Sequence, residues 1–171
     1  MMTPQEFNTT IIYEGLEFLR ALNGPAYTPE AARFLLCVAM QESGPKLDAR
    51  YQNSPSSSPG PARGWWQFEQ GGGVTGVLTH GVSSSLARSV CQALHVQPNQ
   101  AAVWRALEGH DVLACCFARL LLFTDPQPIP TREDTAWDCY CNRLWRPGRP
   151  HRDMWVYNWA TANETIQVPT V

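Results

Sequence analysis

The amino-acid sequence predicts an all-α fold. Three observations carry that expectation. Helix-start signatures recur along the chain, and apolar residues between them repeat at the three-to-four spacing of an amphipathic helix. No segment alternates apolar and polar residues over a useful strand length. With 171 residues, 44% of them hydrophobic, positions 1–171 suit one domain with a sizeable core.

The elements follow in order. Thr3-Pro4-Gln5-Glu6 is a capping box with Pro at the first helical position, and Phe7, Ile11, Ile12, Gly15, Leu16 and Leu19 form the stripe behind it. Asn23-Gly24-Pro25 ends that helix. Thr28-Pro29-Glu30 starts a second helix, with Phe34, Leu35, Val38 and Ala39 on its apolar face and Ser43-Gly44-Pro45 at its end. A Ser/Pro-rich loop occupies 46–63, with room for a minor short hairpin, and Gly71-Gly72-Gly73 follows soon after. Ser83 or Ser84 is the expected cap of a helix to Leu94. Pro98-Asn99 precedes one carrying Val103, Trp104 and Leu107. The run from His110 to Phe123 has little polar face and is expected to be the buried central helix. Thr131 is the expected cap of a helix carrying Trp137, Tyr140, Cys141 and Leu144, and a last helix spans 152–162. The total is about seven helices.

Composition narrows the function classes. Net charge is −2, so the basic excess of a nucleic-acid binder is missing overall. No basic-then-apolar leader opens the chain and no apolar run reaches membrane-spanning length. The expectation is a chain made in a cytoplasm without a signal peptide and without a membrane span. The six Cys fall mostly in helix-like apolar runs and read as core thiols; zinc, for which Cys139-x-Cys141 has the wrong spacing, is the lesser alternative. Gly71-Gly72-Gly73 lacks the Lys-Ser/Thr of a phosphate loop. No metal and no cofactor is implied.

Glu42 is the candidate catalytic residue. It stands on the apolar stripe of the second helix, four residues after Val38 and seven after Leu35, in the last turn. A carboxylate there meets both desolvation and the negative end of the helix dipole, and each raises its pKa. A carboxylic acid that holds its proton near neutral pH is what glycosidic cleavage needs. The competing reading is a buried Glu paired to Arg33 or Arg63.

Glu42-Ser43 at a helix end, a polar loop, then Gly64-x-x-Gln67-Phe68 resembles the pattern of the lysozyme-like soluble lytic transglycosylases. Tyr140-Cys141-Asn142-Arg143 is similar to that family's late Tyr-Asn-x-Gly-like segment. Here the Asn stands one residue late and the Gly is displaced to Gly148, so only Tyr140 carries over. The resemblance spans roughly Ala31 to Gly148. It implies a single lysozyme-like domain that cleaves peptidoglycan glycan strands with one carboxyl. That carboxyl would serve as acid and then as base, with the substrate's N-acetyl group assisting. Attack by the sugar's own hydroxyl gives an anhydro product; attack by water makes the enzyme a muramidase. The missing leader and the double Trp point to a bacteriophage member, carried in the virion and acting on the host wall.

The remaining site candidates have two readings each. Gln67 would bond an N-acetyl group or hydroxyl, or else its own loop. Trp65 and Trp66 diverge, so one can stack on a sugar while the other anchors the core. Tyr140 would align substrate beside Glu42. Ser43 and Trp145 are further binding candidates. Glu69 is either a second carboxylate across the cleft or a solvated loop residue. Arg143, Arg146, Arg149, His151 and Arg152 form a local basic cluster suited to nucleic acid, to stem-peptide carboxylates, or to solvent alone. The alternative from another class is a non-catalytic virion structural or interaction protein that keeps the fold, contacting phage tail proteins. In that reading Glu42 would be sealed under the core or locked to Arg63.

Overall fold

The computed structural model describes residues 1–48 and 60–167. Among them are eight helices and one two-stranded hairpin, so the fold is all-α with a minor hairpin. Helix α1 covers 4–21, with a π-helical turn at Asn8–Ile12; α2 is Pro29–Ser43. Strands β1, Ala62–Arg63, and β2, Phe68–Glu69, pair antiparallel, with Ala62 opposite Glu69. Helix α3 covers 70–79, α4 is Ser84–Ala93, α5 is Gln100–Leu107 and α6 is Asp111–Phe123. Helix α7 covers 133–144 and ends in a π-helical stretch, Cys139–Leu144; α8 is Arg152–Thr165.

Local chemistry sets most of these starts. Thr3 and Glu6 make the reciprocal capping box, Thr28 accepts from the Ala31 N–H, and Asn99 accepts from the Ala102 N–H. Two caps differ from the sequence expectation. Ser83 is fully buried, and its hydroxyl donates to the Val77 carbonyl at 2.7 Å instead of capping α4. Arg132, not Thr131, is the N-cap residue of α7, while the Thr131 carbonyl accepts from Arg33 at 2.8 Å. The eighth helix is α3, where the sequence offered only glycines and no periodic stripe. The hairpin lies at the end of the 46–63 segment and runs past it; residues 49–59 of that loop fall outside the described region.

Helix α6 is the central element. Leu113 to Leu122 are all buried, nine of them apolar and the tenth Arg119. Helix α1 lies against it at close range: a Cβ on Gly15 would stand 2.5 Å from the Cys115 Cβ, so only glycine fits. Helices α2 and α8 pack together, with Asn158 of α8 donating to the Gln41 side chain at 2.9 Å. All six cysteines are free thiols, and all but the half-buried Cys141 are buried in the core. No helix among the described residues is long and apolar enough to cross a membrane.

Candidate functional site

Helix α2 places Glu42 in its last turn, one residue before its end at Ser43 and just before the chain turns out at Gly44. Its carboxyl comes to the wall of a groove lined also by Gln67, Phe68, Glu69, Trp145, Arg146 and Arg149, with a volume of about 670 Å³. A second recess of about 700 Å³ continues from it past Thr75, His80 and Thr124. The two share Gly72, Gly73, Leu121, Leu144, Trp145 and Arg146, so they adjoin as two parts of one channel.

The electrostatics of Glu42 are simple. Burial pushes its pKa up from the usual carboxylate range to about 7, and a hydrogen bond from Tyr140 pulls the other way. The Tyr140 hydroxyl donates to Glu42 Oε1 at 2.6 Å. No cation pairs with Glu42 among the described residues. Arg33 donates to Asn163 and the Thr131 carbonyl and lies over the Trp159 ring. Arg63 pairs with Glu108 at 3.2 Å and covers the Trp104 ring. The two arginines that would have made Glu42 a buried ion pair are therefore engaged elsewhere.

Tyr140 is held for this contact by aromatic packing. Its ring stacks on Trp155 at 4.8 Å between centroids, with Trp137 at 5.7 Å and Trp145 at 6.3 Å. Burial and the adjacent Glu42 both raise the phenol pKa, so the hydroxyl stays a donor. The residue sits in the π-helical stretch of α7, and its carbonyl accepts from both the Trp145 and Arg146 N–H groups. One tight helix end thus fixes Tyr140, Trp145 and Arg146 relative to one another.

The Gly64–Gln67 turn brings Gln67 to the lining of the same groove. Gly64 has φ 76°, and a Cβ there would stand 3.0 Å from the Leu107 carbonyl, so the turn requires glycine. Gln67 also takes a left-handed backbone, φ 49°. Its side-chain Nε2 donates back to the Gly64 carbonyl at 2.9 Å, which is the loop-stabilising reading of that residue. The amide nevertheless lines the groove, and its Oε1 makes no hydrogen bond among the described residues. Glu69 is exposed on the same groove.

Three sequence candidates move from the binding surface into the core. Trp66 is 2% exposed and its indole N–H donates to the Leu35 carbonyl; Trp65 is 4% exposed and donates to Asp111. Neither ring faces the groove, because both are consumed anchoring the turn to α2 and α6. Ser43 is buried too, and its hydroxyl donates to the Trp65 carbonyl at 2.6 Å, tying the end of α2 to the turn. Trp145 stays half-buried on the groove, with its N–H fixed to the Trp66 carbonyl at 3.0 Å. The basic cluster divides: Arg143 pairs with Asp125 and Asp138, Arg152 with Glu133, while Arg146 and Arg149 line the groove. Sequence reasoning passed over Leu121, Thr124 and His80, which line the channel from distant segments with no local signature. No group of His, Cys, Asp and Glu among the described residues is arranged to hold a metal ion.

Comparison with known proteins finds no matching family model, curated protein or solved structure.

Proposed function

We propose that this protein cleaves the glycan strands of peptidoglycan, with Glu42 as the acid. The observation that supports this most is a half-buried carboxyl with a pKa raised to about 7 on the wall of a groove, bonded to a neutral phenol and, among the described residues, to no cation. Tyr140 donates to Oε1, which leaves Oε2 to carry the proton. As the glycosidic C–O bond breaks, that proton passes to the leaving oxygen. The substrate's acetamido oxygen closes on the anomeric carbon. The attacking hydroxyl, from the sugar or from water, then bonds to the anomeric carbon as the bond from the acetamido oxygen breaks, and its proton passes to the carboxylate. The half-buried face of Trp145 offers a flat platform for a sugar ring. Gln67 Oε1 offers an acceptor for an N-acetyl N–H. Glu69 is the second carboxylate available should the reaction be a two-carboxylate hydrolysis.

The lysozyme-like resemblance supplies the proposed setting, a bacteriophage protein that breaches the host wall. The test is digestion of purified sacculi followed by mass spectrometry of the soluble fragments. Released fragments with anhydro ends identify a lytic transglycosylase, and fragments heavier by one water identify a muramidase. Sacculi that yield no soluble glycan overturn the proposal.

A further inference from the structure

This inference rests on the glycan-cleaving reading and concerns what else on the strand is recognised. Among the described residues, five arginines are held in ion pairs. Arg20 meets Glu17, Arg63 meets Glu108, Arg132 meets Asp134, Arg143 meets Asp125 and Arg152 meets Glu133. Arg146 and Arg149 stand outside those pairs and differ from the other unpaired arginines in their place on the groove. Both are exposed, both line the groove that holds Glu42, and neither has an ion-pair partner among the described residues. Arg146 also lines the recess beyond, at the junction of the two halves of the channel. Its backbone is fixed: φ is 47°, and its N–H donates to the carbonyl of Tyr140 at 3.1 Å. The guanidinium is thus carried by the same turn that aims Tyr140 at Glu42. The acidic residues on the same groove are Glu42, whose carboxyl burial favours in its neutral form, and the exposed Glu69.

A neutral sugar polymer gives no reason to place two free guanidinium groups beside the cleavage site. A carboxylate does, because a guanidinium binds it through paired charge-assisted hydrogen bonds. We infer that Arg146 and Arg149 bind carboxylates of the stem peptides carried by the glycan strand, so that the groove selects peptide-bearing, acidic strands.

The test uses soluble glycan fragments bearing stem peptides, and the same fragments with carboxyls capped as methylamides by carbodiimide coupling. The wild-type protein and an Arg146→Gln/Arg149→Gln variant are compared on both. Capping is expected to lower wild-type kcat/KM about tenfold, the scale of one or two charge-assisted contacts. The variant is expected to be slow on the native fragments and indifferent to capping. The wild-type preference should also fade as salt rises. Equal wild-type rates on native and capped fragments overturn this inference alone. So does a variant that capping slows as much as wild type. A wild-type protein that cleaves neither fragment overturns the glycan-cleaving reading and this inference with it.

Discussion

Replacing Tyr140 with Phe removes one hydroxyl and keeps the ring stacked on Trp155. The lost bond is the 2.6 Å contact to Glu42 Oε1. Hydrogen bonds to charged acceptors are worth about 1.5–3 kcal/mol, against about 0.5–1.5 for neutral pairs. The ionised carboxyl therefore loses about 1.4 kcal/mol more than the protonated one, which is about one pKa unit. Glu42, already raised to about 7 by burial, should move upward in the variant. The assay is kcat/KM on soluble glycan fragments against pH, where the alkaline limb reports loss of the acid's proton. That limb should shift about one unit toward higher pH, even as kcat falls from lost alignment. An unmoved limb, or one displaced to lower pH, refutes the claim that Tyr140 stabilises the carboxylate of Glu42.

Three further outcomes follow from the same structure. Glu42 holds its proton more tightly folded than its ordinary value of 4.5 allows. Its ionisation penalty is therefore absent below that value, grows as pH rises to about 7, and stays constant above it. Glu42→Gln should gain up to about 3 kcal/mol over wild type between pH 4.5 and 8, read from urea midpoints; a pH-independent difference contradicts this. Gly15→Ala should lose about 1–3 kcal/mol, because the new methyl meets Cys115, and an unchanged midpoint would show that α1 and α6 separate freely. Ser43→Ala should lose about 0.5–1.5 kcal/mol by releasing the Trp65 carbonyl, and a neutral result would show that the bond does not hold the turn to α2.

What the sequence made legible was local. The Thr3 capping box, the helix start at Thr28 and the apolar run of α6 are short-range signals, and each appears where the spacing put it. The place of Glu42 on an apolar stripe also carried through to a desolvated carboxyl, because helix periodicity alone sets which face it shares. The illegible parts depend on distant partners. Whether Trp65 or Trp66 meets solvent is decided by acceptors at Asp111 and Leu35, far along the chain. Whether Arg63 reaches Glu42 is decided by Glu108 and Trp104 competing for it. Helix α3 begins in three glycines, residues whose low helix propensity hides it from any periodicity argument. The division of the basic cluster follows from Asp125, which is brought to Arg143 only when the connection after α6 folds back on α7.

The central claim is that Glu42 delivers the proton that breaks the glycan. Its most direct test is turnover of purified sacculi by wild-type protein and by Glu42→Gln, which keeps the side-chain shape but has no proton to give. The account predicts soluble glycan fragments from the wild type and at least a hundredfold slower release from the variant, with unchanged circular dichroism. Release by the Gln variant at the wild-type rate would contradict it.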